Sequence, residues 1–222
     1  MSEAVLPLPA QPAPITGPHT RVRMSGKERR EQLLDVGRSL FAAKGFDGTS
    51  VEEIAEKAGV SKPVVYEHFG GKEGLYAVVV DREVRRLLDR ITHALSGDHP
   101  RLLLEQAANA LLSYVESETD GFRILVRDSP VASTSGTFSS MISDIATQVE
   151  HVLAAQFKVL GYDPKLAGLY SQALVGMVAL TGQWWLEARK PKRDDVAAHL
   201  VNLAWNGLSH LEKKPRLRTK LG

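Results

Sequence analysis

The chain has 222 residues, 43% of them hydrophobic, and 28 Lys and Arg against 26 Asp and Glu give a net charge of +2. That is enough apolar material for an ordinary core, and the near-neutral balance means that any nucleic-acid contact must come from local clusters rather than bulk charge. The absence of cysteine excludes a disulfide framework, a thiolate metal site and a cysteine nucleophile, and fits a cytoplasmic protein.

Residues 1–23 read as a disordered leader. Pro7, Pro9, Pro12, Pro14 and Pro18 forbid a helix, and no basic start precedes an apolar run as in a signal peptide. Basic residues then cluster before and within the first helix. Of these, Arg21, Arg23 and Lys27 are candidates for an arm that follows a DNA backbone or enters a minor groove. The first helix is predicted over Gly26–Lys44, burying Leu33, Val36, Leu40 and Phe41 and ending at Gly45.

The segment 49–72 reads as two short helices around a glycine turn. Ser50 stands three residues before Glu53, the spacing of a capping box, and Val51, Ile54, Ala55 and Ala58 make one apolar face. Gly59 ends this helix, Ser61 caps the next, Pro63 is tolerated in its first turn, and Val65 and Phe69 face inward. The pattern is that of a helix-turn-helix, whose second helix enters the major groove. On its outer side the spacing places Lys62, Pro63, a solvated Val64 and His68, with Tyr66 at the flank. Val64 is expected against a thymine methyl group, and Tyr66, His68 and Lys72 against phosphates.

A long fourth helix is expected from Lys72 to about residue 96, a mechanical link out of this unit. Further helices are expected over 102–116, over 120–127 with Asp120 as cap, and over Phe138–Leu160, with a break at 128–136. Asp163 and Pro164 open a helix that runs to residue 189 and is apolar on nearly every side. Such a helix must be covered on more than one face. Asp194 is the expected cap of the last helix, 194–211, which adds further apolar residues. These two segments, 164–189 and 194–211, are therefore expected to form a homodimer contact across a two-fold axis. Residues 213–222 form a basic tail.

Residues 27–86 resemble the N-terminal domain of the TetR family of transcriptional regulators. The likeness is carried by Phe41-Ala42-Ala43-Lys44-Gly45-Phe46, Thr49-Ser50-Val51, Ala58-Gly59-Val60-Ser61, Val65-Tyr66-Glu67-His68-Phe69 and Lys72-Glu73-Gly74-Leu75. It implies that Ser50, Ser61, Lys62, Pro63, Val64, Tyr66, His68 and Lys72 lie at or near a double-stranded DNA operator. Many members carry Gly-Thr where this chain has Pro63-Val64, so base preference does not transfer. The implied fold is all-α: a DNA-binding domain over 24–86 joined by a long helix to an effector-binding and dimerisation domain over 87–212. The resemblance also implies a small-molecule cavity in that second domain, and composition favours a small apolar effector. Its expected wall is drawn from Leu104, Leu111, Phe122, Leu125, Phe138, Met141, Ile145, Met177, Gln183 and Trp184.

Enzyme chemistry has no support in the chain. There is no dinucleotide or phosphate-loop glycine motif, no nucleophile elbow and no histidine pair at helical ligand spacing, so neither cofactor, metal nor catalytic residue is expected. No membrane span is expected either, because Tyr170, Gln172 and Gln183 dilute the most apolar segment. The expectation is a homodimeric, ligand-responsive repressor. An activator of the same fold, or a small-molecule-binding protein that keeps the motif only as scaffold, are the alternatives.

Overall fold

The computed structural model describes residues 24–216 apart from Asp98 and 127–137, and the side chains of 138–141 are likewise outside the description. The leader with Arg21 and Arg23, the expected break at 128–136, the end of the basic tail, and the side chains of Phe138 and Met141 therefore lie outside the described residues.

Among the described residues the structure is helical without a strand. The helices are α1 (Gly26–Lys44), α2 (Val51–Ala58), α3 (Lys62–Phe69), α4 (Lys72–Ala94), α5 (Pro100–Ser117), α6 (Thr119–Val126), α7 (Phe138–Leu160), α8 (Ala167–Ala188) and α9 (Arg193–Ser209). A short 3-10 turn, Pro164–Leu166, precedes α8. Helices α1 to α3 and the first half of α4 enclose one end of the core around Leu33, Phe41, Ile54, Val65 and Leu75, each almost fully buried. Helix α6 then lies against both α1 and α4, while α5 packs on α4, α8 and α9, and α7 rests on α8.

Local chemistry explains most boundaries. Ser25 and Glu28 form a reciprocal capping box at the start of α1. Ser50 caps α2 by accepting from the Glu53 amide at 3.1 Å. At Gly59 the chain turns with φ 63°, a left-handed conformation that a side chain resists, and α2 stops there. Three caps differ from expectation. Ser61 stands at the N-cap of α3 in extended conformation, but its hydroxyl makes no capping bond; Pro63, with φ preset, starts the helix instead. Lys192, not Asp194, is the N-cap of α9, so Asp194 and Asp195 sit in its first turn. There they complement the positive end of the helix dipole. Asp120 likewise lies inside the first turn of α6.

The all-round apolar segment resolves into two faces. Ala167, Ala179, Gly182, Trp185 and Leu186 are buried, and the indole N–H of Trp185 donates to the Pro191 carbonyl at 2.8 Å. On the opposite side Leu169, Leu180 and Trp184 are 66%, 64% and 56% exposed, and Leu203 of α9 is 64% exposed. Among the described residues no helix is long and apolar enough to cross a membrane.

Candidate nucleic-acid interface

Helix α3 is anchored to the rest of its unit at three points. Val65 is fully buried. The guanidinium of Arg30 lies 4.3 Å from the Phe69 ring centre and donates to the His68 carbonyl at 2.9 Å. One cation therefore satisfies a free carbonyl at the end of α3 and holds an aromatic ring against α1. Although Arg30 stands in the basic run at the start of α1, its side chain is turned inward as a clamp.

The anchors decide which side chains of α3 face solvent. Lys62, Pro63, Tyr66 and Glu67 are exposed, as are Ser50 and Ser61 beside them. Tyr66, 53% exposed, rests its ring over Gly71. Val64 departs from expectation: it is half-buried and packed against the core, not a solvated apolar contact. Pro63 and Tyr66 thus form the outward apolar surface. His68 is half-buried, its ring tilted 50° against Phe69 with centres 6.3 Å apart.

The basic residues of this face are positioned by neighbours. Lys72 donates to the Phe46 carbonyl at 3.0 Å with its ammonium 4.0 Å from the Phe46 ring centre. That fixes the ammonium at the α3–α4 corner and leaves further N–H groups for an outside acceptor. Lys62 pairs with Glu52, whose carboxyl is held below the usual carboxylate range chiefly by that hydrogen bond. An exposed pair of this kind contributes little in water, so a phosphate can displace the carboxylate at little cost. Lys27 is exposed at the start of α1.

Of the expected cavity wall, Leu111, Phe122 and Leu125 are buried in the core, and Leu104, Ile145 and Met177 are half-buried. Gln183 and Trp184 depart from the expected wall: both lie on the exposed face of α8, and among the described residues they enter no interior space. Successive helical residues point about 100° apart, so Trp185 entering the core turns Trp184 away from it.

A capped helix-turn-helix with an exposed recognition face, carried on a larger helical unit, defines a DNA-binding transcriptional regulator. Residues 33–79 match the model of bacterial regulatory proteins of the tetR family, and residues 90–219 match that of the tetracyclin repressor-like C-terminal domain. The chain belongs to the TetR family of transcriptional regulators. It is 30% identical to the HTH-type transcriptional activator FasR of Mycolicibacterium smegmatis over 204 residues, 89% of this chain and 91% of that protein. The HTH-type transcriptional repressor BdcR of Escherichia coli shares 35% identity over 81 residues, 35% of this chain and 41% of its own. A TetR-like transcriptional regulator from Rhodococcus sp. RHA1 superposes with a TM-score of 0.72 at 28% identity, covering 85% of this chain and 100% of that one.

Proposed function

We propose that the protein binds a palindromic operator as a cytoplasmic homodimer and releases or engages it in response to a small apolar effector. Residues 24–86 would contact the DNA and 87–212 would bind the effector and the second protomer. The observation that carries the reading is the exposed face of α3, with Pro63 and Tyr66 outward between Lys62 and the fixed ammonium of Lys72. Ser50, Ser61 and His68 lie beside it, and Val64 shapes the face from beneath. The homodimer reading is supported by Leu169, Leu180 and Trp184, exposed together on one face of α8, and by the exposed Leu203 on α9. Exposed apolar residues on one helix face mark an interaction surface, and a self-complementary one would make an isologous interface. For the effector, the half-buried Leu104 of α5, Ile145 of α7 and Met177 of α8 are the candidate apolar lining. Linkage then requires that the effector weaken or strengthen DNA binding by the same factor that DNA changes effector binding.

Repression is the first reading of the regulatory sign. One observation favours activation: FasR, matched over 89% of this chain, is an activator, whereas the repressor BdcR is matched over 35% of it.

The test is salt-dependent binding to the DNA flanking the protein's own gene. A steep fall in affinity with salt is expected, and no affinity at any salt concentration would remove the DNA-binding reading. Tyr66→Ala and Lys72→Ala should each weaken operator binding by at least about tenfold, the scale of a hydrogen bond to a charged phosphate. Lys72→Ala should also reduce the salt slope by about one per protomer. Circular dichroism and sedimentation of both variants should match the parent. Unchanged operator affinity in both would mean that α3 presents a different face.

A further inference from the structure

Glu83 stands on the buried side of α4, in line with Leu75, Val79 and Leu87 at four-residue intervals, and is 1% exposed. A carboxylate in that position is costly unless it is fully partnered. Its partners come from three helices. Arg38 of α1 donates from Nε to Oε1 at 3.0 Å, Arg86 of α4 donates to Oε1 at 2.7 Å, and the Tyr114 hydroxyl of α5 donates to Oε2 at 2.6 Å. Burial, reinforced by the bond to Glu83, pushes the Tyr114 phenol far above its ordinary range, so it remains a donor. Arg38 also reaches Glu118, the residue after α5, at 2.7 Å.

A fourth helix closes over the group. A Cβ at Gly121 of α6 would lie 1.9 Å from Glu83 Oε2 and 2.7 Å from the Tyr114 hydroxyl, so α6 approaches only because residue 121 has no side chain. The knot therefore joins α1, which belongs to the helix-turn-helix unit, to α5 and α6, which belong to the C-terminal unit, with α4 passing through both. It does not touch the exposed face of α3.

We propose that Glu83, with Arg38 and Glu118, is a positioning device that sets the angle between the two units and thereby the half-site spacing the dimer accepts. The inference rests on the DNA-binding homodimer reading. One base pair moves a half-site by about 3.4 Å along the DNA and turns it by roughly a tenth of a helical turn, so following it requires each helix-turn-helix to swing about its attachment. A buried, directional ion-pair cluster resists such a swing better than apolar packing, which slides. Breaking it should loosen the angle while leaving α3 and the dimer surface intact.

The experiment uses the full chain, an operator selected by the wild type from random duplex DNA, and copies of it with one base pair added or removed between half-sites. The wild type is expected to lose about tenfold or more on either change, within the usual range of a coupling between sites. Glu83→Gln, which keeps the shape and removes the charge, should bind the selected operator more weakly but lose less than about threefold on respacing, a markedly smaller coupling. Glu118→Gln alters a partly exposed group and should show the same flattening, and it decides the matter if Glu83→Gln fails to fold. Wild-type spacing discrimination in the folded variants would overturn the proposal. If the wild type selects no two-part site, the DNA-binding homodimer reading itself falls, and this inference with it.

Discussion

Glu83→Ala is expected to lower the unfolding free energy by about 3–5 kcal/mol, the loss typical of removing one partner from a buried ion pair. Three donors lose their acceptor at once. Among the described residues Tyr114 has no second acceptor at hydrogen-bonding quality, since its contact to the Glu83 carbonyl is 3.5 Å, and it is only 1% exposed to water. Arg86 is half exposed and can turn to solvent, while Arg38 keeps Glu118. These two reliefs place the loss toward the lower end of the range. Chemical denaturation read by far-UV circular dichroism checks the value. A loss below about 1 kcal/mol would mean that the carboxylate is replaceable by water and that the knot is not held as described. Gly121→Ala should be destabilising through the same group from the opposite side, because its methyl would overlap the carboxylate.

The second large effect concerns the dimer. Leu180→Asp combined with Leu203→Asp is expected to convert a stable dimer to a monomer, because both leucines are apolar and 64% exposed in the single chain. Each protomer should keep its helical content, since neither side chain contributes to the core. Operator affinity should fall by about 10²–10⁴-fold, the gain that a second linked site ordinarily contributes. A single half-site should bind the variant and the parent protomer alike. Sedimentation equilibrium and titration with full and half operators check both parts. A variant that stays dimeric would move the interface away from α8 and α9.

Much of the fold was legible because its signals are local. The Ser50 cap, the left-handed Gly59 and the buried spacing of Ile54, Val65 and Leu75 follow from rules that act within a few residues. The candidate DNA face was legible for the same reason, except at two points. Val64 packs against the core, and an eight-residue helix is too short for periodicity to tell its inner margin from its outer face. Arg30 stands in a basic run with no local signal to set it apart, and only the α1–α3 crossing shows that it caps a helix thirty-eight positions away. Gln183 and Trp184 illustrate a third limit. On a helix apolar all round, the pattern does not say which face the same chain covers and which is left for a partner. Glu83 did carry a signal, a charge set in the apolar stripe of α4, but its partners Arg38 and Tyr114 are distant in sequence and no spacing rule joins them.

Two copies of α3 should be presented to DNA at a fixed separation. Selecting binding sites for the full-length wild type from random duplex DNA and weighing the resulting complex tests this. A palindromic consensus is expected, with half-sites about one helical turn or a small multiple apart, bound by two protomers. Enrichment of a single unrepeated element at one protomer per duplex, or no enrichment at all, would contradict it.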